Sequence, residues 1–177
     1  MQSKYADGGE IFCIPLFWLD EGYDSINKLK LKKEDENKLF AYGRVIEDMK
    51  GSGILVEIFN ATGTMYLDYE KIISSNRLFE PIFMFWLPIK KKRWKIIYKT
   101  PEYNKFKDSN FNDIDIVFGS YDDLYLKNLG SGKKVNIKEE EAKKYEQSVI
   151  WYPIDLERRI GYELGIYPTA NNAVKSK

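Results

Sequence analysis

Three short apolar runs constrain this chain most: Gly9–Leu16 (GEIFCIPL), Leu39–Ile46 (LFAYGRVI) and Gly53–Asn60 (GILVEIFN). Each is rich in β-branched and aromatic residues, and glycine or charged clusters separate them. That is the pattern of a small antiparallel sheet or barrel, a module that more often recognises than catalyses. In the first run Ile11 and Cys13 share one face, and Phe12, Ile14 and Leu16 the other. Both faces are apolar, so the strand is expected to be buried on both sides. Pro15 cannot donate to a ladder and belongs at a strand end or bulge. Gly43, inside the second run, predicts a close backbone approach.

Between the first two runs lies Asp20–Lys38, a stretch dense in charge of both signs. It is expected as a solvated insertion. The second and third runs form a hairpin over residues 49–53, and Asn60–Gly63 predicts another turn. Asp68 is placed to cap a short helix reaching Ser75, with Ile72 and Ile73 facing inward. Ile82–Leu87 is a continuous apolar run, expected as a central strand, with the basic residues Lys90–Arg93 as its turn. Trp94, Ile96 and Tyr98 alternate with lysines and predict a strand with one wet face. Thr100–Asn112 reads as loop. Ile114, Ile116 and Phe118 alternate with Asp113 and Asp115 as a further strand; Tyr121–Leu129 is the next, closed by Gly130-Ser131-Gly132.

The C-terminal third changes character. Asn136 with Glu139 predicts a helix start, running to about Gln147. After Pro153, Leu156, Ile160 and Leu164 recur every four residues, one face of a helix that Gly165 ends. The class is α+β: an N-terminal antiparallel sheet or small barrel, with helices segregated toward the C-terminus. Residues 1–167 are expected as one domain carrying the insertion 20–38, and residues 168–177 as a flexible tail.

Chemistry is scarce. The chain contains no histidine, which excludes a Ser-His or Cys-His nucleophile and removes the commonest zinc ligand. The single cysteine, Cys13, sits between apolar neighbours and reads as packing. With no partner for a disulfide and no secretory leader, a cytoplasmic protein is expected. No run is long enough to cross a bilayer. Net charge is +1, so no global field draws the chain to nucleic acid or to a membrane. Asp113 with Asp115, and Asp122 with Asp123, are the paired carboxylates that a metal-dependent hydrolase would need. Lys90–Lys95 with Trp94 is the one stretch suited to a nucleic-acid-binding barrel. No cofactor is expected. Exposed aromatic anchors are sought at Tyr121, Tyr125, Trp151 and Tyr152, since aromatics dominate interface hot spots.

Three strings in their order resemble the immunity protein 26 family of bacterial polymorphic toxin systems. They are Gly9–Leu16, Phe40–Ile46 (FAYGRVI), and Trp151–Ile154 (WYPI) followed by Leu156–Ile160 (LERRI). The resemblance runs from about Gly9 to Gly165, and the excursion 20–38 departs from it. It implies a non-catalytic antidote that binds and neutralises a cognate toxin protein. The resemblance carries over no contact residues; from the acidic pairs and aromatic anchors themselves, Asp113, Asp115, Tyr121, Asp122, Asp123, Tyr125, Trp151 and Tyr152 are the expected partner-binding residues.

Overall fold

The structure, a computed structural model, describes residues 7–167. The first strand, β1 (Glu10–Pro15), leads into the charged excursion, which holds a short helix, α1 (Ser25–Lys28), and a 3-10 turn at Lys33–Asp35. The hairpin β2 (Phe40–Asp48) and β3 (Ile54–Gly63) follows. Then come α2 (Tyr69–Ile73), β4 (Ile82–Met84), α3 (Leu87–Lys90), β5 (Lys95–Lys99) and α4 (Lys105–Asp108). The remaining elements are β6 (Asp115–Phe118), β7 (Tyr125–Asn128), β8 (Lys134–Asn136), α5 (Glu139–Ala142), β9 (Ile150–Trp151) and α6 (Pro153–Glu163). The expected tail 168–177 lies outside the described residues.

Six strands form one sheet in the order β5-β1-β2-β3-β4-β9, antiparallel except for the β4–β9 pair. Among the described residues β5 and β9 do not pair, so the sheet is open. A second antiparallel sheet has the order β6-β7-β8. The α+β class holds, and among the described residues the longest helix, α6, is the last.

Strand alternation sorts the core onto two faces. Phe12, Ile14, Ala41, Val45, Val56, Ile58, Ile82 and Met84 form one continuous apolar cluster with Trp94 and with Leu156 and Ile160 of α6. Burying each of those two helix side chains is worth about 1.5–3 kcal/mol. Gly43 lies on this face opposite Phe12, and it is glycine there because a Cβ would stand 2.5 Å from the Phe12 ring. On the other face the apolar residues divide. Ile11, Cys13, Phe40, Tyr42 and Phe59 form one cluster. Ile46, Leu55 and Phe83 form another with Phe111, Ile114 and Ile116, beneath the second sheet. Arg44 and Glu57, paired in register on β2 and β3, occupy the gap.

Several elements differ from expectation. Residues 60–63 are not a turn: β3 continues to Gly63, paired with Phe40, after a register shift at Ala41/Tyr42. The apolar run from Ile82 stops as a strand at Met84, because Pro88 opens α3 in the first-turn position that proline favours. Residues 100–112 hold α4, which Asn104 caps through Phe106 and Lys107 N–H, and the start of a 3-10 turn at Phe111–Asp113. The helix expected from Asn136 is only α5; Asn136 belongs to β8, and Ala142 is the one residue α5 buries. Without an apolar stripe a longer helix has nothing to dock. The excursion is not merely solvated: Ser25, Ile26 and Asp35 are buried.

Candidate functional site

The residues singled out from sequence do not form one site. Asp113 is exposed and belongs to the 3-10 turn, whereas Asp115 opens β6 and accepts a 2.9 Å hydrogen bond from Asn128 Nδ2. The pair therefore does not share a strand face as expected. Asp122 and Asp123 lie in the exposed turn before β7. Among the described residues no three His, Cys, Asp or Glu side chains group as metal ligands. Tyr121, expected inside a strand, instead sits at the tip of that turn with φ +50° and is 92% exposed. Tyr125 is half-buried and stacks on Phe118 at 5.8 Å. Trp151 is half-buried in β9 with the Arg159 guanidinium over its ring, and Tyr152 packs against Tyr23. Cys13 is fully buried, and burial pushes its thiol up to about 12.

Sequence reasoning missed two charged centres. In the first, Arg93 and Glu157 are both 0% exposed. Arg93 Nε and Nη2 each donate a 2.8 Å hydrogen bond to the Glu157 carboxylate. Trp94 Nε1 donates to the same carboxylate at 2.7 Å, and Arg93 Nη1 donates to Ser25 Oγ at 3.1 Å. The Trp18 ring covers the guanidinium. Burial holds the Glu157 carboxyl above its usual range, with Arg93 and Trp94 pulling the other way. Bidentate geometry and filled donors are what make a sealed pair tolerable. This centre joins the excursion, the basic run and α6. It also turns the Trp94 indole inward, where it cannot stack on a base.

The second centre lies on the opposite face. Arg44 Nε donates to Glu57 Oε1 at 2.8 Å, and Arg77 Nε to Glu57 Oε2 at 2.7 Å. The other ends of the two guanidiniums reach the backbone carbonyls of Asp108 and Ser109. Ser109 Oγ donates to Glu57, and Tyr103 completes the chain through Ser109. Burial raises the Tyr103 phenol to about 12. The centre opens on a polar cleft of about 430 Å³.

A groove of about 450 Å³ runs beside the edge strand β5. Its floor joins both faces of the sheet: Trp94, Ile96 and Ile89 belong to one cluster, Met65 and Leu31 to the other. Lys32, Lys33, Lys92 and Lys95 rim it, with Glu36 as the opposing charge. The excursion supplies one wall, where Leu31 N–H bonds the Lys92 carbonyl at 2.9 Å. Lys95 donates to the Tyr66 hydroxyl, whereas among the described residues Lys33 and Lys92 make no ion pair. The signal in the sequence was two separate basic stretches; their meeting was not visible there.

The chain is thus an α+β protein built on an open sheet, with a basic-rimmed groove along one edge. Residues 7–124 match immunity protein 26, and the chain belongs to that family. The match includes the whole groove lining and stops before β7, so the third resembling string, at Trp151–Ile160, lies beyond it. No curated protein and no solved structure matches the chain. No helix among the described residues is long and apolar enough to cross a membrane.

Proposed function

We propose that this protein is a non-catalytic immunity protein that binds a cognate toxin protein and neutralises it by occlusion. The observation that carries this reading is the family match over residues 7–124. The reading needs no cofactor, nucleic acid or membrane, and it suits a reducing cytoplasm. It is supported by how the charged residues are used. Arg93 and Trp94, two residues of the basic stretch suited to nucleic acid, are consumed in the interior. The paired aspartates stand apart in two turns and a strand. Of the eight residues named from sequence, Tyr121 with Asp122 and Asp123 is the free aromatic anchor, and we assign it a contact with the toxin.

The test is co-expression with the cognate toxin, sought first among the genes that neighbour this one. Restored growth and a stable complex on a sizing column are the expected results. Absence of both protection and complex overturns the reading. Tyr121→Ala is expected to weaken the complex about tenfold, the scale of a modest hot spot.

A further inference from the structure

We infer that the groove beside β5 receives an extended acidic segment of the partner, anchored by an apolar side chain on the half-buried floor residues Leu31, Ile89 and Ile96. The inference rests on the immunity reading and names the chemistry of one contact. Three observations carry it. First, among the described residues β5 is the outer strand of the sheet and pairs only with β1, so an edge is available for strand addition. Second, the floor opens both hydrophobic clusters at one place, so a single apolar side chain there meets both layers. Third, the four rim lysines outnumber Glu36 and the Glu34 that pairs with Lys32 at 3.6 Å, so the rim stays basic, and Lys33 and Lys92 have no carboxylate partner among the described residues. A second copy of this chain would bring its own lysine-bearing β5 to the edge, and like charges oppose that pairing. An acidic strand meets the rim with complementary charge.

The direct test titrates the full chain, in low salt, with three end-blocked heptapeptides. One alternates Glu or Asp with Val, Leu or Ile; one carries Lys in place of every acid; one keeps the acids and carries Ser in place of every apolar residue. The first is expected to bind at least about tenfold tighter than either control. The double variant Lys33→Glu, Lys92→Glu is expected to lose that advantage, and 0.5 M salt to weaken binding to the wild type. Both substituted side chains are exposed, and a matching melting temperature checks that the variant folds. Equal binding of all three peptides, no binding of the first, or an unchanged double variant overturns the groove assignment. Self-association that the double variant abolishes overturns it too, in favour of a second copy.

The cognate toxin separates this inference from the one beneath it. If the wild type protects and the double variant binds toxin with unchanged affinity, the groove assignment falls and the immunity reading stands. If the wild type neither binds nor protects, the immunity reading falls, and the peptide titration alone decides the groove.

Discussion

The two faces of the main sheet handle charge in opposite ways. One face carries a continuous apolar cluster, roofed by α6, and its Arg93–Glu157 pair is sealed from water. The other carries two apolar clusters with Arg44, Glu57 and Arg77 between them, beside an open polar cleft. In both, one glutamate holds several donors. The difference is what water can do when a partner is removed. A sealed guanidinium has no alternative ligand; one beside a cleft can be hydrated. Hence the first centre acts as a lock between distant segments, and the second as a spacer that organises the loop around α4.

The largest expected effect is at the lock. Glu157→Ala leaves the Arg93 guanidinium and the Trp94 indole without their acceptor in a dry interior. A loss of about 3–5 kcal/mol is expected in denaturant unfolding. Next comes Glu57→Ala, where the cleft admits water and the backbone carbonyls remain; about 1–3 kcal/mol is expected by the same measurement. Equal losses at Glu157 and Glu57 would erase the distinction between the faces. Smaller again is Arg77→Ala, at about 0.5–1.5 kcal/mol, since its partly exposed guanidinium leaves Glu57 still paired with Arg44. A larger loss there than at Glu57 would show that Arg77, not Glu57, organises the centre.

The subtlest test uses alkaline pH. Cys13, Tyr42 and Tyr103 all lie on the second face, and burial raises each of them. In the unfolded chain the thiol ionises near 9.0 and the phenols near 10.0, whereas native Cys13 and Tyr103 hold their protons to about 12. Between those values the unfolded state has released protons that the native state keeps. Stability therefore falls as pH rises from 9 to 12. Cys13→Ala and Tyr103→Phe are each expected to flatten that limb in chemical unfolding at fixed pH. A slope unchanged by both would mean that neither group contributes to it.

What was legible in the sequence follows from local period. Apolar runs rich in β-branched and aromatic residues located β1 and β2, the double-sided pattern of Ile11–Leu16 announced a strand buried on both faces, and the four-residue spacing of Leu156, Ile160 and Leu164 announced α6. Alternation located β5 but not its faces, because a register shift at Ile11/Phe12 sends Ile96 to one cluster and Tyr98, with Ile97, to the other, so the expected wet face is absent. Local period could not extend β3 through Gly63, because that pairing rests on a register shift against Phe40. Nor could it stop the strand at Met84, where Pro88 redirects the chain. For the candidate site less was legible. Tyr121 was found, but as a strand residue and not as the tip of a turn.

By itself, then, the sequence determined the α+β class, the apolar alternation and the absence of histidine chemistry, all of which depend on residue type and short-range spacing. Tertiary structure alone decided that Arg93 meets Glu157 from 64 residues away and that two basic stretches, at Lys32 and at Lys92, face each other across an apolar floor. Charge and hydropathy read identically for a lysine on a rim and a lysine in a tail, and for an arginine in water and one in a sealed pair. Only the three-dimensional path of the chain sets the dielectric and the partner that each of them meets.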